Sequence, residues 1–303
     1  MLVGIAILSL WTGLASGQGP TAPSPSSDGT PQTSGLPQGS EATPSSEPAR
    51  LSDRLMIRGG WAYLFGATAN VSKGGPLLGV GTNVDFTNTL GGNSSTDAFR
   101  LDGLYRFNDR HAIGLSWYRA GLHGDKTLNQ QIQIEDQIIG ANATTQTSLT
   151  FDIWRLLYNY SFYHNDQVEL GISPGLYVMK IKFNLAAQGA ISINGGAPVA
   201  GSSTVITEQV TLPLPSVGVI ANYNITPKLQ FQSRFDFFYL TVNQYSGSMF
   251  ETYLGLEYRL LKHFSMGAAY DRLIAGLKGS GDDGLDANFG YNLTYVYASL
   301  FFF

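Results

Sequence analysis

Large apolar side chains alternate with small or polar ones along most of the chain after residue 54. In the segment LMIRGGWAYLFG, Ile57, Trp61, Tyr63 and Phe65 occupy alternate positions, with Arg58 and several glycines and alanines between them. Successive side chains of a β-strand point to opposite faces of the sheet. The pattern therefore predicts an extended strand with one bulky apolar face.

The same pattern recurs in further segments, which predicts about ten strands. Aromatic residues lie mainly on one face of these strands and charged residues on the other, and in the last strand Tyr291, Leu293, Tyr295 and Tyr297 share the aromatic face. The predicted strands are centred on residues 55–65, 99–107, 113–117, 154–162, 168–178, 205–223, 229–239, 250–260, 264–271 and 286–303.

Tight turns and longer loops alternate between these strands. The tight turns have the sequences FNDR, YHND, ITPK and LKH. Short turns at one end and long loops at the other are typical of a transmembrane antiparallel up-and-down β-barrel with both termini in the periplasm. Apolar and polar side chains also alternate along the strands of a soluble β-sandwich, but there the outward face should be polar. Residues 71–95 contain an alternating stretch of their own. If this stretch pairs into the barrel, the predicted number of strands becomes eight or twelve.

The first 50 residues differ in composition from the rest. Residues 1–17 are an apolar stretch ending in small residues, which predicts a signal peptide, with a retained anchor helix as the alternative. Residues 18–50 are rich in Pro, Ser, Gly and Thr, which predicts a disordered periplasmic linker. The β-barrel is expected over residues 51–303.

Composition narrows the range of functions. Only 13% of the residues are charged, about half the share of an average soluble domain, which agrees with strands that face lipid. The net charge of -4 argues against nucleic acid as a partner. The absence of cysteine excludes disulfides, thiolate metal sites and cysteine nucleophiles, and we predict no cofactor, no metal and no catalytic residue.

The C-terminal sequence YVYASLFFF carries aromatics at Tyr295, Tyr297, Phe301 and Phe303. It resembles the last strand of Gram-negative outer-membrane β-barrels, in which a terminal Phe is read during assembly. The segments FRLDGLYRFNDRHAIGLSWYR, LPLPSVGVIANYNITPKLQFQSRFDFFYL and LGLEYRLLKHFSMGAAYDRL also resemble a widespread group of small outer-membrane β-barrel proteins without a settled activity. The resemblance implies a bacterial outer-membrane location, with outer-membrane lipid, the barrel-assembly machinery and periplasmic chaperones as partners.

Charged residues of both signs are expected on the inward face of the strands. In a narrow barrel such side chains fill the lumen and pair across it, since an unpartnered buried charge is costly. A structural salt-bridge network is one interpretation and a narrow polar pore is the other. The residues are Arg58, Arg100, Asp102, Arg106, Arg155, Arg234, Asp236, Glu251, Glu257, Arg259 and Asp271.

Proline occurs inside two predicted strands that are neighbours in sequence. Pro174 lies in the strand around 168–178, and Pro213 and Pro215 lie in the strand around 205–223. Proline cannot donate a hydrogen bond to a sheet. We therefore hypothesise a weakened seam between these two strands that opens laterally for apolar solutes, below an uncharged loop over 184–205. The alternative is a pair of bulges that bend the sheet.

Two resemblances to outer-membrane hydrolases are faint. His263 and Ser265 are similar to the His-x-Ser pair of an outer-membrane lipid A deacylase, but they lie at a predicted periplasmic turn and the expected Asn is missing.

Omptin proteases also have about ten strands and activate water with carboxylates and a His. Here only His123 with Asp125, and Asp282 with Asp283, are comparable, and their order differs from that family's. We therefore predict a structural barrel or a narrow passive conduit. An enzyme of the extracellular rim and an adhesin that uses loops such as 122–148 are the alternatives.

Overall fold

The computed structural model describes residues 54–73, 82–134, 137–193, 196–279 and 285–302. The predicted signal peptide, the predicted linker, Asp282, Asp283 and Phe303 lie outside these residues. No helix among the described residues is long and apolar enough to cross a membrane.

The described residues form thirteen β-strands. Ten are long and three are short, and the short ones are β2, β5 and β6. In chain order they are β1 (Leu55–Lys73), β2 (Thr82–Asp85), β3 (Thr96–Asn108), β4 (His111–Thr127), β5 (Ile132–Ile134), β6 (Gln137–Ile139), β7 (Thr144–His164), β8 (Val168–Ile193), β9 (Val199–Asn224), β10 (Leu229–Val242), β11 (Tyr245–Leu261), β12 (Phe264–Gly279) and β13 (Leu285–Phe302).

Every long strand pairs antiparallel with two other long strands. The order is β1-β3-β4-β7-β8-β9-β10-β11-β12-β13, and β13 also pairs with β1, from Leu55↔Phe302 to Lys73↔Leu285. Strands that follow one another in sequence are thus neighbours in space. The predicted antiparallel up-and-down arrangement is confirmed.

The four predicted tight turns lie at one end of the sheet, which we call the turn end. Polar side chains close three of them; in one, Asn165 Oδ1 accepts the backbone N–H groups of Gln167 (2.9 Å) and Val168 (2.6 Å). The opposite end, the loop end, carries the longer connections. One connection there is also tight, because Asn243 adopts a left-handed φ of 55° between β10 and β11.

Alternation assigns two faces to the sheet, an exposed outward face and a buried inward face. On β1, Ile57 and Trp61 are 48% and 52% exposed, whereas Arg58 between them is 5% exposed. On β11, Leu256 is exposed and Glu257 is buried. On these strands the outward face is apolar and the inward face is charged, as the alternation predicted.

The last strand corrects the prediction that its aromatic face is outward. Tyr295, Tyr297 and Phe301 are buried on the inward face, and the exposed face of β13 carries Val296 and Leu300. The inward tyrosines pack against buried arginines, so the aromatic rings and the charges of this part of the fold occupy one interior rather than opposite faces.

The predicted loop over 184–205 is also corrected. β8 continues to Ile193 and β9 starts at Val199, and the two strands pair through this region, for example at Asn184↔Thr207. Residues such as Leu185 and Ala187 alternate with exposed or half-exposed ones. An uncharged, alternating sequence of this kind extends a hairpin instead of forming an irregular loop.

The pairing of β8 with β9 contradicts a weakened seam between these two strands. It runs without a register shift from Val168↔Tyr223 to Gly189↔Ser202 and includes Pro174↔Val217, Leu176↔Pro215 and Val178↔Pro213. A proline interrupts only the hydrogen bonds on the side to which its missing N–H would point. For Pro213 and Pro215 that side faces β10, and for Pro174 it faces β7.

The segment 71–95 combines a strand extension with an inward loop. β1 continues to Lys73, and β2 pairs with β1 alone. Phe86 and Leu90, which follow β2, are buried in the interior of the loop end. The segment therefore adds no further long strand among the described residues.

Candidate functional site

Twelve charged side chains on the inward face form a group that we call the charged layer. Six are arginines and six are carboxylates, so their formal charges cancel. They are Arg58, Arg100, Arg106, Arg155, Arg234, Arg259, Asp102, Glu169, Asp236, Glu251, Glu257 and Asp271. Nine of these were predicted as a lumen network and two more, Arg58 and Asp271, as inward charges, whereas Glu169 was not assigned to the network.

Ion pairs of the charged layer join strands that are not neighbours in the sheet. Arg100 on β3 donates to Asp271 on β12 at 2.8 Å, and Arg155 on β7 pairs with Glu251 on β11. Arg155 also lies 3.8 Å from Asp102. Side chains from opposite parts of the sheet therefore meet in the interior, which leaves little room for a pore at this level.

Tyr177 is a further member of this interior that the sequence did not single out. Its hydroxyl donates to Asp236 Oδ2 at 2.8 Å and also contacts Glu251, while Arg234 Nε donates to the same Asp236 oxygen at 2.6 Å. The only sequence signal for Tyr177 was its position on β8, one residue out of phase with the outward Leu176.

Arg58 is held by five side chains of other strands, one of which is Gln232, whose Oε1 accepts a hydrogen bond from Arg58 at 3.1 Å. It pairs with Glu257 and donates to Ser299 Oγ (3.1 Å) and Tyr253 Oη (3.0 Å). Its guanidinium carbon lies 4.1 Å from the centre of the Tyr297 ring. The inward tyrosines of β13 thus provide stacking surfaces for arginine, a favourable contact when both are desolvated.

A separate pair lies nearer the turn end. Arg106 forms a two-pronged ion pair with Glu169, at 2.8 and 3.2 Å. Ser161 and Asn222 also donate to Glu169, at 2.5 and 3.0 Å. Such a fully bonded carboxylate can remain charged while buried.

At the turn end, Arg259 stacks its guanidinium carbon 4.4 Å from the centre of the Phe301 ring.

An apolar cavity of about 710 Å³ fills the loop-end interior above the charged layer. Its lining is almost entirely aliphatic and aromatic, with Glu208 as its one charged lining residue. The principal side chains are Phe86, Leu90, Phe151, Met179, Phe183, Leu212, Leu214 and Phe289. A cavity of this size and character suits a small apolar molecule or a single lipid chain.

The pairing between β9 and β10 stops part of the way along both strands. It runs from Gln230↔Asn224 to Phe237↔Val217. In the part of the chain that the structure describes, residues 199–216 of β9 have no partner strand on the β10 side, and residues 238–242 of β10 have none on the β9 side. We call this opening the β9–β10 gap.

Pro213 and Pro215 lie on the edge that borders this gap. Asn224 donates its backbone N–H to the Gln167 carbonyl, on the β8 side, at 2.8 Å. Alternate residues of an antiparallel strand direct their N–H groups to opposite neighbours, and the β8–β9 register does not shift over the intervening residues. Odd-numbered residues of this stretch therefore face β10, so both prolines lack a donor where the β9–β10 pairing has ended.

Pro174 acts on the opposite side of the same hairpin. By the same alternation its missing N–H points to β7, and the β7–β8 pairing omits Pro174 and Ser173, between Leu157↔Gly175 and Tyr160↔Ile172. Ser173 bridges the interruption by donating to Asn159 Oδ1 at 2.8 Å. The three prolines thus lie at two different strand boundaries.

The β9–β10 gap borders the apolar cavity. Glu208, Val210, Leu212 and Leu214, all from the unpaired stretch of β9, line the cavity. Val210 points inward by alternation but is 44% exposed. The unpaired stretch of β9 is therefore an exposed part of the cavity wall.

His263 and Ser265, the two residues that faintly resemble the deacylase pair, have separate partners. Ser265 donates to Glu257 Oε1 at 2.5 Å inside the charged layer. His263 Nδ1 lies 3.0 Å from the carbonyl oxygen of Phe301. Ser265 and His263 therefore each bond to a structural partner and not to one another.

His123 and Asp125 are exposed side chains on the outward face of β4. Among the described residues, no group of three His, Asp or Glu side chains is placed to hold a metal ion.

Comparison with known proteins identifies the fold. No family model matches the chain, and no curated protein matches it in sequence. The outer membrane protease OmpT from Escherichia coli superposes with a TM-score of 0.54 at 11% identity, over 86% of this chain and 99% of OmpT.

Two further solved structures are less similar. The toluene transporter TodX from Pseudomonas putida has a TM-score of 0.36 at 7% identity, over 85% of this chain and 93% of TodX. OprG from Pseudomonas aeruginosa has a TM-score of 0.28 at 12% identity, over 85% of this chain and 99% of OprG. These two are too dissimilar to support an argument, whereas the likeness to OmpT shows that the chain has the fold of an outer-membrane β-barrel.

Proposed function

We propose that the ten long strands form a closed barrel in a bacterial outer membrane, with the turn end in the periplasm. The outward face supports this location. On β8 it is apolar from Val168 to Val178, and on β9 from Tyr223 to Pro213. These runs match the roughly 9–11 residues that a tilted strand needs to cross the hydrocarbon core. Assembly machinery and periplasmic chaperones are proposed partners during biogenesis.

We propose further that the barrel is not a general pore. The pairs Arg100–Asp271 and Arg155–Glu251 cross the interior, and the side chains of Phe151 and Phe289 meet above them with ring centres 4.3 Å apart. Water and ions passing from end to end would have to displace these contacts.

The function that the geometry supports best is binding of a small apolar molecule and its lateral exchange with the membrane. One observation carries this proposal: the apolar cavity is lined by the unpaired stretch of β9, beside the β9–β10 gap. An apolar solute that enters from the loop end can reach lipid through the gap without passing the charged layer. The proposed opening lies between β9 and β10, one strand boundary away from the seam expected from the sequence.

A disulfide across the gap tests this proposal, and the natural chain contains no cysteine that would interfere. Continuing the register of Val217↔Phe237 by two residues places Pro215 opposite Tyr239. Pro215→Cys with Tyr239→Cys should therefore trap the gap in a paired state. We expect uptake of N-phenylnaphthylamine by Gram-negative cells that express this variant to fall to the background of cells without the protein, and to recover after reduction.

The matched control is Phe237→Cys with Phe250→Cys, a pair already opposed in the β10–β11 ladder. Its oxidation should leave uptake unchanged. Cross-linking of both variants is checked by electrophoretic mobility with and without reductant. Wild-type uptake by the fully cross-linked Pro215/Tyr239 variant would rule out the gap as the route.

We also propose that the chain is not a hydrolase. The separate partners of Ser265 and His263, and the outward exposure of His123 and Asp125, support this view. Absence of hydrolysis of casein and of lipid A by the purified protein is the expected result.

A further inference from the structure

Three cations and one carboxylate form a row on the outward face near the loop end. Arg119 on β4 is opposite Asp152 on β7, and Asp152 is opposite Lys180 on β8. Lys182 lies two residues beyond Lys180 on the same face, about 7 Å along the strand. We call Arg119, Lys180 and Lys182 the cation row.

The cation row lies where the apolar outward face ends. On the three strands concerned, the last apolar outward residues are Trp117, Trp154 and Val178, directly before the charged positions. The two tryptophan rings lie 5.9 Å apart between their centres. Tryptophan favours the boundary between hydrocarbon and headgroups, so the cation row is at the height of headgroups in a membrane-embedded barrel.

Asp152 is occupied by protein partners. It accepts a hydrogen bond from Trp117 Nε1 at 2.8 Å through one oxygen and pairs with Arg119 through the other. The Asp152 side chain is 15% exposed, whereas the Arg119 side chain is 61% exposed. Asp152 therefore orients Arg119 at the base of the row, while Lys180 and Lys182 are exposed beside it.

The surrounding outward positions do not cancel this charge. The partners of Lys180 and Lys182 on β9 are the neutral Thr211 and Gln209. On the other flank, the residue of β3 opposite Arg119 is the neutral Phe99. The next outward residue of β3, Asp97, lies farther toward the loop end. The cation row and its neighbours therefore retain an excess of positive charge, although the net charge of the chain is -4.

We propose that the cation row binds the phosphate of an outer-leaflet lipid whose acyl chains lie against the apolar face below Trp117 and Trp154. This inference rests on the proposed membrane location, and it is independent of the β9–β10 gap. Two or three cations beside an aromatic pair offer charge to the headgroup and a flat apolar surface to the chains.

The test uses the full protein in neutral detergent, titrated with diphosphorylated lipid A, with the same glycolipid after phosphate removal, and with inorganic phosphate. Binding is read by native mass spectrometry and by the shift in Tm. We expect the phosphorylated lipid to bind, the dephosphorylated lipid to bind much more weakly, and inorganic phosphate to have no effect. Lys180→Gln with Lys182→Gln should weaken binding roughly 30-fold, because each lysine near an anionic lipid surface contributes about 1 kcal/mol of attraction and about 1.4 kcal/mol corresponds to a tenfold change in affinity.

The matched control is Lys228→Gln with Lys262→Gln, which removes two exposed lysines at the turn end and should keep wild-type affinity. Equal binding of the two glycolipids, or wild-type affinity of the Lys180/Lys182 variant, would overturn the proposal. An effect of inorganic phosphate alone equal to that of the lipid would also overturn it, because the site would then select free anions. Failure to float with lipid vesicles would instead contradict the membrane location, since the titration in detergent does not depend on insertion.

Discussion

Arg155 on β7 and Glu251 on β11 form an ion pair in which neither side chain has any exposed surface. The two strands are not neighbours in the sheet, so the pair spans the interior. Arg155 also lies within 4 Å of Asp102 and Asp271. A single guanidinium therefore balances several carboxylates at the centre of the fold.

Loss of this cation should be strongly destabilising. Arg155→Leu leaves buried carboxylates without their shared partner, and breaking a buried pair in this way costs about 3–5 kcal/mol. We expect the free energy of unfolding in urea, followed by tryptophan fluorescence in detergent, to fall by that amount. Arg119→Leu is the control, because the Arg119 side chain is 61% exposed and ion pairs of solvent-exposed side chains contribute less than about 1 kcal/mol. Similar losses in both variants would contradict a central role for Arg155.

The two ion pairs that cross the interior, Arg155–Glu251 and Arg100–Asp271, should decide ion conductance. We expect the wild-type protein in planar bilayers to show no steady conductance, because side chains meet across the interior. Arg100→Ala, Arg155→Ala, Glu251→Ala and Asp271→Ala together remove both crossing ion pairs without leaving an excess charge, and discrete conductance steps should appear. Arg119→Ala with Asp152→Ala removes an arginine–carboxylate pair on the outward face and should stay silent. Steady conductance of the wild-type protein would show that the charged layer does not block the lumen.

Gly267 is required by the inward position of Tyr297. A Cβ added at Gly267 would lie 2.6 Å from Cε2 of the Tyr297 ring, and Arg58 stacks on that ring. Gly267→Ala should therefore cost about 1–3 kcal/mol through overpacking, measured by the same urea titration. Gly103→Ala is the control, since the atoms nearest to its added Cβ are 4.0 Å away. A neutral Gly267→Ala would mean that the ring moves freely.

Most of the strand pattern could be predicted because alternation is a local property of the chain. Leu256 next to Glu257 is enough to assign the two faces of β11. The same rule failed on β13, where Tyr295 and Tyr297 are apolar enough for lipid but also serve as stacking partners for Arg58 and Arg100. Which role a tyrosine takes depends on strands that are distant in sequence.

The candidate site could be predicted only in part for a similar reason. Proline marks a missing donor, but the neighbour that loses the bond depends on register, which the sequence does not specify. Pro213 and Pro215 were therefore assigned to the boundary with β8 when they border the gap toward β10. The apolar cavity arises from residues of many strands together with Phe86 and Leu90, so no single segment indicated it.

Restoring the missing donors should close the gap. Pro213→Thr with Pro215→Thr supplies two N–H groups directed at β10, and β-branched residues favour strands. We expect the β9–β10 pairing to continue beyond Val217, which hydrogen exchange would show as new slowly exchanging amides in residues 238–242, and uptake of N-phenylnaphthylamine to fall. Pro174→Thr is the matched control, because its N–H points to β7 and should leave both measurements unchanged. If the double variant gained protected amides but kept wild-type uptake, the gap would be a structural feature without a role in transport. If Pro174→Thr lowered uptake as much as the double variant, the route would lie at the β7–β8 boundary instead.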